Sequence, residues 1–310
     1  MATAVNSAGF GGLRAAVTLR DRIDLPRRVV FLAAVSMVAI VFVLLGFIAW
    51  QGVQLFVHNG LTLSSILSTT WSPEDEPISY GILPFVAGTI GVTALAVAIA
   101  APLSIGLALF LSEVAPGWAR SVIQPALEIF VGIPSVVWGW LGLTILVPFL
   151  REYLAGIGFT VGFSWLAGSL VLSIMILPTI TTITYDAYRA IPQEMRTSSL
   201  ALGTTRWQTI RHILVPAARA GTLTAIVLGL TRAAGEALAV QMVIGNRPTM
   251  PTGLTQPVTT LTSQITLDMG NTVFGAPDNN VLWTMGLILL IISMSAVLLI
   301  RRLNRSGAGR

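Results

Sequence analysis

Leu228–Val240 reads LGLTRAAGEALAV and holds the two charges on which any chemistry of this chain would turn. Arg232 and Glu236 stand four residues apart in the stretch 215–246, whose only other charge is Arg219 near its start. On a continuous helix that spacing puts the guanidinium and the carboxylate on one face. Counted from Ala217, Arg232 lies about 22 Å along a helix rising 1.5 Å per residue, too deep to reach either surface of a bilayer easily. A lone charge there costs at least about 2.5–3.5 kcal/mol, and a mutual ion pair lowers that cost without removing the desolvation. The pair must therefore face protein or water. Beside it Gly221, Ala225, Gly229, Ala233 and Ala237 recur every four residues, a small-residue stripe that lets a second helix approach closely. Two uses fit the pair. One is a buried ion pair that fixes helix registry. The other is an anion site, in which the planar fork of Arg232 meets a tetrahedral oxyanion and Glu236 holds Arg232 when no anion is present. A carboxylate also accepts a hydrogen bond from a protonated phosphate oxygen, which sulfate lacks at neutral pH.

Other chemistry is closed by composition. There is no cysteine, so no disulfide, thiolate nucleophile or cysteine-bound metal is expected. All 18 basic residues are arginine, which excludes a P-loop lysine and a Schiff-base enzyme. His58 and His212 have no metal-ligand spacing. We expect no catalytic residue, no metal and no cofactor. His58 reads as a solvent-facing loop residue and His212 as part of the polar side of a cytoplasmic helix. Gly132, Pro134 and Ser135 predict a break or kink that exposes backbone groups to a cavity, or else an ordinary proline kink. Glu128, about one turn inside a span, is interfacial or buried. Glu74, Asp75 and Glu76 form an acidic run, either solvated or touching an external partner. Gly81–Gly88 with Pro84 reads as a flexible helix entry without chemistry.

The elements that must position these residues are membrane helices. The 310 residues are 54% apolar and 10% charged, with mean hydropathy +0.82, whereas a soluble domain carries about 25% charged residues. Runs of about 20 apolar residues occur at Val29–Gln51, Ile82–Ser112, Val122–Phe149, Thr160–Thr184, Ala217–Asn246 and Val281–Ile300. The first is too long for a signal-peptide core and lacks a small-x-small cleavage site, so it reads as a retained anchor. Fifteen arginines fall on one side of the six spans: Arg14, Arg20, Arg22, Arg27, Arg28, Arg120, Arg189, Arg196, Arg206, Arg211, Arg219, Arg301, Arg302, Arg305 and Arg310. Only Arg151 and Arg247 fall on the other. This bias puts both termini in the cytoplasm and accounts for a pI of about 10.6 without a nucleic-acid partner. The expected organisation is a cytoplasmic tail (1–28), a membrane anchor (29–51), an outward loop (52–81), a helical membrane body (82–302) and a cytoplasmic tail (303–310). The body includes an inward loop (190–218) and a second outward loop (247–280). No internal repeat of fixed period is visible.

In the inward loop, AIPQEMRTSSLALGTTRWQTIRHILVPAA, Glu194–Leu202 suits a helix that Gly203 ends in the left-handed conformation. Thr204 or Thr205 can cap a second helix. There Trp207, Ile210 and Ile213 or Leu214 share one side, opposite Arg206, Arg211 and His212, until Pro216 closes the pattern. Such a helix either docks in a groove on a cytoplasmic partner or lies among lipid headgroups. The loop resembles the EAA loop of ABC importer permeases, E-A-A-x3-G-x9-I-x-L-P, through Gly203, Ile213, Leu214 and Pro216. It departs from that pattern at Thr197, Ser198 and Ser199, which stand for Glu-Ala-Ala, and at Val215. PLSIGLALFLSEVAP (Pro102–Pro116), QPALEIFVGIPSVVWGWLGL (Gln124–Leu143) and LTRAAGEALAVQMVIGN (Leu230–Asn246) are similar to the C-type permease subunit of phosphate-specific ABC importers, over about 82–302.

The resemblance implies an all-α, six-helix ABC transmembrane type-1 permease in the bacterial inner membrane, not itself an enzyme. Its implied partners are a second, A-type permease, a pair of ATP-binding cassette ATPase subunits, an external phosphate-binding protein and the membrane lipid. Thr197, Ser198, Ser199, Gly203, Arg206, Trp207, Ile213 and Pro216 would couple it to the ATPase, and Arg232 and Glu236 would line the passage. Three rival readings are a permease for molybdate or sulfate, an ion-coupled secondary transporter with Glu236 as proton carrier, and an intramembrane enzyme, for which no convergent residue set is present.

Overall fold

The computed structural model describes residues 9–74 and 76–307, with side chains for 27–74, 76–298, 301 and 302. Asp75, Arg310 and the side chains of Arg14, Arg20, Arg22 and Arg305 lie outside the described residues, as do most side chains of both expected tails. The chain divides into two units, 1–51 and 52–310.

Helix dominates, because a backbone surrounded by lipid must satisfy its own hydrogen bonds. The first helix, α1 (Gly9–Val57), begins in the first unit and ends in the second; an 18-residue window within 27–57 has mean hydropathy 2.9, and apolar side chains are exposed from Val29 to Trp50. In the second unit α2 is Leu83–Val114, its last turn widened to a π-helix at Phe110–Val114. Then follow α3 (Gly117–Gly132), α4 (Ser135–Tyr153), α5 (Trp165–Arg189), α6 (Gln193–Ala201), α7 (Arg206–Ala217), α8 (Arg219–Ala234), α9 (Leu238–Ile244), α10 (Leu261–Asp268) and α11 (Pro277–Gly307). Among the described residues four helices are long and apolar enough to cross a membrane alone. The number rises to six when each of two bent pairs, α3 with α4 and α7 with α8, counts as one span.

Two expected spans are not single helices. The run Val122–Phe149 turns by 97° between α3 and α4. Pro134 forces Ile133 out of the helical region (ψ 127°) and cannot itself donate to the preceding turn. The run Ala217–Asn246 stops at Ala234 and resumes at Leu238. Consequently Ala237, placed in the small-residue stripe by its spacing, lies in the break.

The core gathers around α5. Leu172, Ile176 and Ile180 are buried there with Ala96 and Ala100 of α2 and Ala225 of α8. Lipid removes the hydrophobic drive between helices, so close packing must hold them together. A methyl added at Gly229 would stand 2.6 Å from Ile180, which fixes the small-residue stripe of α8 as the face against α5.

The second outward loop is not simply solvated. Thr260–Gln264, at the start of α10, is buried. Before α2, the strands β1 (Trp71–Ser72) and β2 (Ser79–Tyr80) pair antiparallel. Trp71 packs edge-on against Tyr80 and Phe85, and the Tyr80 hydroxyl donates to Asp278 at the start of α11. Burial first, and that carboxylate second, push the Tyr80 hydroxyl's pKa upward.

Candidate functional site

Arg232 lies in the helix before the break and Glu236 within the break itself, so the two do not share a helix face. Ala234 is the last residue of α8, and Gly235 (φ −88°, ψ −5°) ends it. Among the described residues the single ion pair joins Arg196 to Glu113, so the expected mutual pair of Arg232 with Glu236 does not form. Each charge instead meets a helix end of opposite sign. Arg232 lies in the last turn of α8, whose free carbonyls favour a cation. The Glu236 carboxylate accepts from the Ala239 N–H at 3.2 Å, in the first turn of α9, where a negative charge is favoured. The break thus lowers the cost of both charges without an ion pair.

The residue that holds Arg232 is Thr179. Its hydroxyl accepts from Arg232 Nη1 at 2.9 Å, directly after Pro178 inside α5. Five N–H donors sit on a guanidinium, and this is the one hydrogen bond from Arg232 among the described residues. Arg232 and Glu236 are both half-buried. From the far side, the Thr262 hydroxyl of α10 donates to the Glu236 carbonyl at 2.8 Å. The resulting arrangement is a fixed cation with spare donors next to an interrupted helix. It can bind an anion without first breaking a salt bridge.

Gly132, Pro134 and Ser135 stand at the other break, with Pro134 capping α4 and Ser135 its first residue. Glu128 is exposed on α3.

The inward loop is two helices knitted by hydroxyls. Gly203 (φ +81°) follows α6 in the left-handed region, where a side chain is strained. Thr205 caps α7 through a reciprocal pair with Gln208. Of the three positions that replace Glu-Ala-Ala, Thr197 and Ser198 are exposed, while Ser199 is buried and bonded to Thr204 (2.7 Å) and Thr209 (3.0 Å). Trp207 does not share a side with Ile210, Ile213 and Leu214. Those three pack inward near Tyr185 and Tyr188, whereas Trp207 is 66% exposed. Beyond Ile210 a π turn at Ile210–Leu214 also shifts the 3.6-residue period on which the expected face was counted. Arg206, Arg211, His212 and Pro216 are exposed.

Spacing alone missed the loop's anchor. Arg196 donates from Nη2 to Glu113 Oε1 at 2.9 Å, and from Nε to both Glu113 oxygens at 3.3 and 3.4 Å. It also donates to the carbonyls of Ile191 (2.7 Å) and Tyr188 (2.8 Å). Both side chains are 14% exposed. This strut ties the loop to the π turn of α2 across a separation of 83 residues, which no local pattern announces.

Residues 100–306 match the family of binding-protein-dependent transport system inner membrane components. The probable ABC transporter permease protein YqgH of Bacillus subtilis is 49% identical over 279 residues, covering 90% of this chain and 89% of that one. The phosphate transport system permease protein PstC of Xylella fastidiosa is 34% identical, over 92% and 91%. A crystal structure of a bacterial ABC transporter involved in the import of the acidic polysaccharide alginate matches in fold, with a TM-score of 0.64 at 17% identity, over 93% of this chain and 99% of that one. The MetNI methionine ABC transporter, in an inward-facing form, gives 0.59 at 20% identity, over 75% and 99%. With helices that span a membrane, an interrupted pair of charges and a two-helix loop, this chain belongs to the family of binding-protein-dependent transport system inner membrane components.

Proposed function

We propose that this chain is a permease half of an ATP-driven phosphate importer and that phosphate crosses beside Arg232. One observation carries the reading: Arg232 sits in the last turn before a helix break, held by a single hydroxyl, with most of its donors unspent. The similarity to phosphate transport permeases supports the choice of oxyanion. Glu236, half-buried with one oxygen on the Ala239 N–H, keeps the other for the protonated oxygen of phosphate.

In this reading both termini and the α6–α7 loop are cytoplasmic, which the fifteen-to-two split of arginines supports. A phosphate-binding protein docks outside, an A-type permease supplies the other half of the passage, and an ATPase pair grips the loop around Trp207. Closure of the ATPase pair opens the passage outward, and hydrolysis returns it inward.

The test is phosphate uptake by R232Q and E236Q at matched protein level. A hydrogen bond to a charged group is worth about 1.5–3 kcal/mol, so R232Q should lower uptake at least about tenfold. Normal uptake by both variants rejects the site. Competition by molybdate and sulfate separates the oxyanions, and transport by the reconstituted chain without an ATPase would reassign it to ion-coupled carriers.

A further inference from the structure

A second basic site lies well away from Arg232 in the chain. The end of α2, the first turn of α3, the end of α5 and the start of α6 enclose a cleft of about 620 Å³. Its charged and polar walls are Ser112, Glu113, Arg120, Arg189, Gln193 and Arg196. Three guanidiniums meet one carboxylate, and that carboxylate is already occupied by Arg196. The Arg196–Glu113 pair is neutral as a unit and forms a wall. Arg120 and Arg189 therefore leave the cleft with two uncompensated positive charges.

Their donors are largely unspent. Arg120 gives Nη2 to the Ser112 carbonyl at 3.1 Å, while its Nε is buried with no hydrogen-bond partner. A buried donor without a partner is costly. The Arg189 guanidinium lies 5.7 Å from the centre of the Tyr185 ring, a cation–π contact that uses none of its N–H groups. The nearest carboxylates in sequence, Asp186 and Glu194, are exposed, and neither is paired with Arg189 or Arg120 within 4.0 Å. Planar forks with free N–H pairs suit phosphate oxygens.

The surroundings favour the membrane as the source. Trp118, two residues before Arg120, is 74% exposed at the start of α3. Exposed tryptophan next to arginine at a helix end marks the headgroup level. Basic clefts between membrane helices on the positively charged side take anionic headgroups.

We propose that this cleft is a second anion site in which Arg120 and Arg189 hold a phosphate group, that of an anionic lipid headgroup or a free phosphate ion. The site is independent of the transport reading and is tested without ATPase or uptake. The full chain in detergent is titrated with phosphatidylglycerol, with phosphatidylcholine and with inorganic phosphate. Lipid adducts are read by native mass spectrometry and stabilisation by thermal unfolding. Wild type should retain phosphatidylglycerol over phosphatidylcholine, and R120Q/R189Q should weaken that retention about tenfold or more. R189Q alone removes an exposed side chain without hydrogen bonds, so it should fold normally and show part of the loss. Stabilisation by inorganic phosphate that R189Q reduces, without a preference for phosphatidylglycerol, assigns the site to the free ion. Unchanged binding of both ligands by R120Q/R189Q or by a folded R189Q overturns the proposal. It is equally overturned if R211Q/R219Q, which removes the same charge from exposed positions outside the cleft, loses as much.

Discussion

At the scale of single residues, Thr179 and Glu236 separate positioning from charge. T179V keeps nearly the same volume but removes the hydroxyl that fixes Arg232. Uptake should fall about tenfold, less than in R232Q, and T179S should restore it, since its hydroxyl can re-form a bond worth about 1.5–3 kcal/mol. Glu236 has two duties that substitution can divide. Glutamine still offers an oxygen to the Ala239 N–H, so E236Q should unfold thermally like wild type, whereas E236A should lose the cap, worth about 0.5–2 kcal/mol. If the negative charge serves transport, both variants lose uptake although only one loses stability. Asp268, at the end of α10, predicts a pH effect. Burial raises its pKa above 3.8, with a hydrogen bond from Gln264 opposing and the charge of Glu74 adding. A raised carboxyl pKa means that the folded state holds its proton more tightly than the unfolded one. That contribution is complete below 3.8 and is lost as pH rises through the folded value. D268N, which still accepts from Gln264, should remove this loss, so thermal unfolding between acid and neutral pH should flatten relative to wild type. Arg232 and Glu236 were legible because a charge in an apolar run has few innocent explanations. Thr179 was not, because a threonine in a span is unremarkable and its partner is 53 residues away.

Among the elements, long apolar runs announced themselves and their interruptions did not. A run's length fixes that it can cross a bilayer, but whether it stays helical is decided by what meets the freed backbone groups. Pro134 was visible as a breaker in the sequence. The stop at Ala234 was not, since a lone Gly235 between Ala234 and Glu236 is tolerated in many helices and the Thr262 hydroxyl that meets the Glu236 carbonyl comes from a loop outside the apolar runs. The Arg196–Glu113 strut gives the element scale its own prediction. It connects the two-helix loop to α2, so in the proposed function it is the link that would carry movement of the loop to the membrane helices. E113Q and R196Q should uncouple the complex: ATPase activity persists while phosphate uptake falls. Removing one member of a fully buried pair costs about 3–5 kcal/mol, and less is expected here because each side chain keeps some contact with water. The charge swap E113R/R196E should recover part of the uptake lost in either single variant. A swap no better than the singles would assign the pair to stability alone.

The whole molecule is defined by what it leaves uncovered. Apolar exposure along α1, α3 and α4, including Phe42, Trp118, Ile129 and Trp140, is ordinary for helices that face lipid or a second permease. Exposure in the inward loop has a different meaning, because no lipid core accounts for a protruding apolar residue beyond the membrane. Met195, Leu200, Leu202 and Trp207 are all exposed there, while the other side of the loop is anchored by Arg196, Ile210 and Leu214. A firmly held base with an apolar crest fits a groove on a partner. The sequence showed the loop and its caps, but it grouped Trp207 with Ile210, Ile213 and Leu214 on one apolar face. The π turn at Ile210–Leu214 leaves no mark in a 3.6-residue pattern. W207A therefore tests docking without disturbing the fold. Aromatic anchors at protein interfaces cost about 2 kcal/mol or more when truncated, so the ATPase that co-purifies should drop sharply, by about thirtyfold in affinity. Thermal unfolding of the isolated chain should not move, because the side chain is mostly in solvent. L214A makes the opposite pattern, since Leu214 is buried and its truncation leaves a cavity costing about 2–5 kcal/mol. Full ATPase retention by W207A, with L214A alone reducing it, would mean that the partner reads the loop's shape and not its crest.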